Sequence, residues 1–163
     1  MSGSADDSDA PSAIERLQFA AKSNNEQVYN EVIAEAGASL DFNAQDGIGN
    51  TALHYAAQCG SLDIAQLLVD HAGIKLDVQN RQWQTPLFVA ASHGEAEIVQ
   101  LLIEAGANPS LADKQRSSPA SVAKSKEIKD MINSAVVARS LAADDLDQGD
   151  SEEEDEEGEE EDE

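Results

Sequence analysis

The stretch NTALHYAA at residues 50–57 returns as QTPLFVAA at residues 84–91, an offset of 34 residues. Three further features downstream keep that offset: Gly60 and Gly94, Ile64 and Ile98, and the leucine pairs 67–68 and 101–102. Copies at one fixed spacing are typical of repeat proteins, in which each unit packs against the next and a single unit cannot bury its apolar face alone. The sequence therefore predicts a stack of equivalent units.

Each copy has the pattern of two short helices. Thr51 is a good N-cap for a first helix that should end near Gly60, and a second helix should begin around Leu62. Helical spacing puts Leu53, Ala56 and Ala57 on the buried face of the first helix. It puts Ile64, Leu67 and Leu68 on the buried face of the second. The predicted unit is a helix-turn-helix, and small alanine pairs allow close approach between units.

The sequences TALHYAA and TPLFVAA resemble the Thr-Pro-Leu-His-x-Ala-Ala motif of the ankyrin repeat. Residues 101–109, LLIEAGANP, resemble the family's second helix and loop, and residues 46–51, DGIGNT, resemble the start of its hairpin. The resemblance implies an all-α fold, an ankyrin-repeat solenoid of stacked helix-turn-helix units with hairpin loops. It also implies a protein that binds other proteins and has no enzymatic activity.

Weaker copies flank this pair, as expected where the ends of an array must face solvent. Asn24 takes the place of the turn glycine in the first of them, and Asn tolerates the left-handed conformation. In the last, Ser118 begins the motif, and Ile128, Met131 and Ile132 supply an outer helix. We expect a cap repeat at 13–45, repeats at 46–79 and 80–112, and a degenerate C-terminal cap at 113–138, within an ankyrin domain at 12–143.

Two departures from the motif affect the expected geometry. The hairpin glycine at Gly49 is replaced by Trp83 and Arg116 in the following repeats, so we expect those hairpins to bend differently. Phe88 replaces the motif histidine found at His54, so the hydrogen bonds of His54 should be absent from that layer.

The charge is uneven. The formal net charge is −23, but residues 144–163 hold 15 acidic and no basic residues, and subtracting them leaves −8. Segments of low hydrophobicity and one charge sign do not fold, so we expect a disordered N-terminal segment at 1–11 and a disordered acidic tail at 144–163. We find no export signal and no run of 18 apolar residues, and expect a monomer in the cytoplasm and nucleus, without membrane contact.

No pattern points to catalysis, a metal or another cofactor. Cys59 is the single cysteine, which excludes an internal disulfide, and we expect it to be buried. His54, His71 and His93 fall at different positions of the unit, without spaced partner ligands. By the resemblance, His54 bonds a neighbouring turn and His93 faces the concave groove.

Hairpin tips and inner-helix surfaces usually contact partners in the family that this chain resembles. This nominates ten partner-binding residues: Ile48, Asn50, Tyr55, Gln58, Arg81, Gln82, Trp83, Gln84, Ser92 and His93. Trp83 is the strongest, because exposed aromatic and arginine side chains concentrate interface energy. The alternative is that its ring covers the core of the adjacent repeat.

The acidic tail allows two interpretations. It could attract or shield a basic client, such as a ribosomal protein or another nucleic-acid-binding protein, and the architecture resembles ankyrin-repeat chaperones of ribosomal proteins. Alternatively, the chain is an adaptor or regulatory subunit for a non-basic protein, and the tail acts only as a solubiliser. Direct nucleic-acid binding is disfavoured because it needs a basic stripe. Ser151 precedes three glutamates, a context that resembles acidophilic kinase sites.

Overall fold

The structure is a computed structural model that describes residues 10–143. Within this range the chain forms helices and connecting loops with no strand, plus one 3-10 turn at Gly37–Ser39. The helices are α1 (Ala13–Ser23), α2 (Glu26–Ala36), α3 (Ala52–Cys59), α4 (Leu62–Val69), α5 (Pro86–His93), α6 (Ala96–Glu104), α7 (Pro119–Val122) and α8 (126–143). The acidic segment 144–163, with Ser151, and residues 1–9 lie outside the described range.

The first helices of successive pairs stack on one another: α1 packs against α3, α3 against α5, and α5 against α7. The alanine pairs at 20–21, 56–57 and 90–91 are fully buried in this stack, where larger side chains would separate the helices. The helices that contain Leu53 and Leu87 are thus equivalent neighbours. This confirms the predicted all-α solenoid of paired helices.

The ends of the inner helices follow the predicted chemistry. The hydroxyls of Thr51 and Thr85 each accept a hydrogen bond from the backbone N–H three residues later. Such caps contribute about 1 kcal/mol each. Helix α1 ends at Asn24 with φ 51°, in the same left-handed conformation as Gly60 at φ 71°. The substitution of the turn glycine by Asn24 therefore preserves the turn.

Each outer helix buries one apolar face. Eight side chains on α4, α6 and α8 are at most 1% exposed: Ile64, Ala65, Leu68, Ile98, Val99, Leu102, Ile128 and Ile132. Leu67 and Leu101, predicted on the same face, are half-buried.

Cys59 is exposed, so the prediction that it is buried was wrong. It lies two residues after the buried Ala57, which is about 200° around the helix. That rotation turns the thiol away from the stack.

The expectation that the hairpins bend differently was also wrong. Trp83 and Arg116 both have φ 66°, in the left-handed region where Gly49 has φ 85°. In each hairpin the fourth N–H donates to the carbonyl of the first residue at 2.9 Å. The side chain of that first residue, Asp46, Asn80 or Asp113, accepts from the third and fifth N–H groups at 2.8–3.0 Å. Because this side chain fixes the turn, the fourth residue adopts the left-handed conformation whatever its type.

None of the helices described in residues 10–143 is long and apolar enough to cross a membrane. In the same range, no group of three or more His, Cys, Asp or Glu side chains could hold a metal ion.

Candidate functional site

The three hairpins at 46–50, 80–84 and 113–117 are joined edge to edge. The Arg81 N–H donates to the Ile48 carbonyl at 3.1 Å, and one layer further the Lys114 N–H donates to the Gln82 carbonyl at 3.1 Å. Backbone bonds therefore hold neighbouring tips at a fixed spacing, and the side chains between them belong to a rigid surface.

A cleft of about 410 Å³ opens between the first two hairpins and the inner helices α3 and α5. We call it the hairpin cleft. Eight of the ten predicted contact residues line it: Ile48, Asn50, Gln58, Arg81, Gln82, Gln84, Ser92 and His93. The structure thus brings together residues that are up to 45 positions apart in the sequence. Whether they contact a partner stays a prediction.

Asn80 and Val89 also line the cleft, although the sequence interpretation missed them. The Asn80 amide donates to the side-chain oxygens of Asn50 at 2.9 Å and Gln84 at 3.3 Å. It therefore couples two walls. The signal that could have found it is the recurrence of Asp or Asn at the first hairpin position, at Asp46, Asn80 and Asp113.

Tyr55, predicted as a contact residue, does not line the cleft. It is only 9% exposed, and its hydroxyl donates to the Asp46 carboxylate. The Lys22 ammonium lies 4.2 Å from the centre of its ring. Tyr55 therefore links helix α3 to the first hairpin and stabilises the hairpin cleft without lining it.

The Asp46 carboxylate is the centre of that hairpin. Partial burial by itself would raise its pKa, but the hydrogen bonds from Tyr55 and from the N–H groups of Asn50 and Ile48 outweigh burial and lower the pKa. The ionised form is thus the one that holds the turn.

Trp83 lies at the tip of the second hairpin, beside the cleft and not in its lining. Trp83 is 54% exposed, and Ile48 on the preceding tip is 58% exposed. A residue exposed to this degree does not cover the core of the adjacent repeat. A non-glycine residue in the left-handed region costs about 1–2 kcal/mol.

His54 fixes one wall of the cleft from within the stack. Its Nε2–H donates to the Gln84 carbonyl at 2.8 Å, since a carbonyl can only accept. Its Nδ1 accepts from the N–H and the hydroxyl of Thr51, at 3.1 and 2.9 Å. Burial lowers the pKa of His54, although the bond to Gln84 opposes the shift. The neutral ring ties α3 to the next hairpin, as the resemblance implied.

The other two histidines differ. His93 is exposed, and its Nδ1 lies 2.9 Å from the Val89 carbonyl at the end of α5. His71 stacks on Phe42, with ring centres 3.6 Å apart. At the position equivalent to His54, Phe88 is 3% exposed and fills the space with an apolar ring, so the bond to the next hairpin is absent there, as predicted.

The electrostatics of the cleft are simple. Arg81 is the fixed charge among its ten lining residues, and none of them is a carboxylate. Five of them carry a side-chain amide, which can both donate and accept. The arrangement can hydrogen-bond an extended polypeptide, and its fixed charge is positive.

Comparison with known proteins agrees with this architecture. The family model for ankyrin repeats in three copies matches residues 17–113. An ankyrin repeat-containing protein of Saccharomyces cerevisiae is 29% identical over 158 residues, covering 88% of this chain and 87% of the yeast protein.

Two larger proteins share only the repeats. A probable E3 ubiquitin-protein ligase of Oryza sativa is 45% identical over 67 residues, which are 41% of this chain and 15% of that protein. A glycerophosphocholine phosphodiesterase of Candida albicans is 32% identical over 98 residues, 60% of this chain and 8% of that protein. The chain thus spans a small part of these two relatives, and the activities in their names belong to them.

The family match covers more than half of the chain, and the stacked helix pairs and hairpins agree with it. The chain belongs to the ankyrin repeat family, and its repeats form a protein–protein interaction module.

Proposed function

We propose that this chain is an adaptor or regulatory subunit that holds a neutral or acidic segment of a protein partner in the hairpin cleft. The observation that carries the proposal is the convergence of eight of the ten nominated residues on one cleft without carboxylates. A partner chain laid across it would meet amide groups for its backbone and Arg81 for its acidic side chains.

Two exposed apolar side chains flank this polar surface. Ile48 and Trp83 stand on adjacent hairpin tips, joined by the bond between the Arg81 N–H and the Ile48 carbonyl. Interfaces gain most of their energy from a few large side chains, tryptophan first among them, surrounded by groups that exclude water. Trp83 also occupies a backbone conformation that glycine would adopt without strain. We infer that the indole is retained there because it contacts a partner.

The test uses two glutamines at the third position of successive hairpins. Gln82 lines the cleft, whereas Gln115 is exposed outside it. Gln82→Glu places a negative charge in the cleft, so it should reduce recovery of the partner in affinity isolation from cells with mass spectrometry. Gln115→Glu adds the same charge to an equivalent turn and should leave recovery unchanged. Equal recovery with both variants would refute the proposal.

A second candidate is the escort of a basic client, and the 15 acidic residues at 144–163 favour it. Electrostatic attraction of this kind speeds association and weakens as salt shortens the screening length to about 8 Å at 0.15 M. Under this candidate, the association rate with the isolated partner falls steeply with ionic strength, and deletion of residues 144–163 flattens that dependence. If the association rate depends neither on salt nor on residues 144–163, the escort function is refuted and the adaptor function remains.

A further inference from the structure

A second cavity, of about 670 Å³, lies between the outer helices α6 and α8, on a different face from the hairpin cleft. We call it the outer groove. Its apolar part is formed by the half-buried side chains of Ile103, Met131 and Ala135. Its edges carry three exposed carboxylates, those of Glu104, Glu127 and Asp130.

The apolar surface continues past the groove along α8. Ser134 lines the groove, and Val137 and Leu141 follow it at spacings of three and seven residues, which keeps them on the same side of the helix. Both are largely exposed, at 56% and 60%. The groove and this stripe form an apolar track, and the groove end of the track is bordered by negative charge.

The sign of that charge decides what can cover the track. The acidic segment 144–163 carries the same sign, and residues 1–9 contain three aspartates and no basic residue. A second copy of the chain brings a net charge of −23. Like charges brought together at an interface cost several kcal/mol, which disfavours all three occupants.

We propose that the outer groove binds an amphipathic helix of a basic protein, with apolar side chains in the groove and lysine or arginine against its edges. Two adjacent helices present a furrow into which a third helix can lay residues at i, i+3, i+4 and i+7. The apolar contacts give most of the affinity, because exposed ion pairs contribute about 0–1 kcal/mol each. The carboxylates select the sign of the partner.

The acidic segment strengthens this selection. It follows α8 directly in the sequence, and Ala135 is eight residues, or about 12 Å of helix, from the last described residue. Negative charge on a binding protein raises the association rate of a basic ligand more than it raises the final affinity. The inference rests on the groove and does not depend on the hairpin cleft.

The test is an NMR titration of the full-length, ¹⁵N-labelled chain with an amphipathic helical peptide of about 18 residues, leucine on one face and lysine on the other. The amide signals of Ile103, Glu127 and Met131 should shift on addition of this peptide. A second peptide with glutamate in place of every lysine should leave them in place. Shifts confined to residues 144–163, or equal shifts with both peptides, would overturn the groove proposal while leaving the cleft proposal intact.

A matched pair of variants separates groove binding from general attraction. Ala135→Arg fills the groove and should weaken binding of the lysine peptide by about tenfold. Asn133→Arg adds the same charge at an exposed position of α8 outside the groove and should change the affinity by less than about twofold. Thermal unfolding is the control that checks whether both variants are folded. Equal weakening by the two variants would also overturn the proposal.

Discussion

The hairpin cleft and the outer groove belong to one repeat stack, yet different chemical groups form their walls. The cleft is bounded by backbone turns whose N–H and carbonyl groups are bonded from tip to tip, and none of its ten lining residues is a carboxylate. The groove is bounded by side chains of two helices, apolar at the centre and acidic at the edges. If both proposals hold, a single array presents two surfaces that select partners of opposite charge.

The difference also concerns what each surface needs in order to exist. The cleft depends on the hairpins and on buried bonds such as that from His54 to Gln84. The groove depends on α7 and α8, the last helix pair within residues 10–143, which has one neighbouring pair in that range. Because repeat arrays are stabilised by neighbouring contacts, the groove should be lost first when the array is weakened.

The largest expected effect is a difference in stability between the groove side and the cleft side of the array. Ile132→Ala removes a fully buried side chain from α8 and should cost about 2–5 kcal/mol. Val137→Ala on the same helix changes a side chain that is 56% exposed and should cost less than about 0.5 kcal/mol. Urea unfolding followed by circular dichroism measures both. Since Trp83 is the sole tryptophan, its fluorescence reports the cleft side separately.

For Ile132→Ala we expect the circular dichroism signal to fall at a lower urea concentration than the tryptophan signal. Coincident transitions would show that the last helix pair and the cleft unfold together, and would contradict the expectation that the groove is lost first.

A smaller effect tests the rigidity of the hairpins. Gly49 has φ 85°, and a Cβ atom built there would lie 2.8 Å from the backbone nitrogen of Arg81. Gly49→Ala should therefore cost about 1–3 kcal/mol of unfolding free energy and disturb the cleft. In the same hairpin, a Cβ at Gly47 meets nothing within 4 Å, so Gly47→Ala is the control and should be nearly neutral. Equal costs would mean that the tips are not in close contact.

The smallest effect concerns pH. The pKa of His54 is lowered from 6.5 in the folded chain, mainly by burial, so below pH 6.5 the unfolded chain binds more protons at this group. The contribution of neutral His54 to the free energy of unfolding is fully present above pH 6.5. It is lost as the pH falls towards the lowered pKa of the folded chain, by no more than about 1.4 kcal/mol per pH unit. Unfolding free energies from pH 7.5 to 5 should decline more steeply for the wild type than for His54→Phe, which copies the layer of Phe88. Parallel curves would contradict the buried, neutral histidine.

Much of the fold could be predicted, because the 34-residue spacing places equivalent side chains in equivalent layers. Thr51 and Thr85 cap their helices as expected, and Asn24 adopts the conformation of the glycine that it replaces. The conformation of Trp83 and Arg116 could not be predicted from their residue type. It is set by the Asp or Asn three residues earlier, whose side chain holds two N–H groups of the turn.

Most of the residues that line the hairpin cleft were nominated from the sequence, but their degree of burial was not predicted. Asn50 and Tyr55 are buried at 7% and 9% exposure, because a bond to Asn80 and a bond to Asp46 draw their side chains inward. The first bond joins two hairpins and the second joins a hairpin to helix α3. The recurrence of Asp or Asn at the first hairpin position marks the partners Asp46 and Asn80, but it does not show which side chains they bury. The outer groove left no periodic signal, since α8 follows a shortened turn and the shape between α6 and α8 results from unequal repeats.

The most direct test of the central claim, that the hairpin surface exists to contact a partner, compares Trp83→Gly with Arg116→Gly. Both variants place glycine at the same left-handed hairpin position, at φ 66°, and should keep or raise the melting temperature by relieving strain. We predict that Trp83→Gly weakens the affinity for the isolated partner by at least about tenfold, whereas Arg116→Gly leaves it unchanged. An unchanged affinity with a lowered melting temperature for Trp83→Gly would contradict the account, because it would make the indole part of the packing.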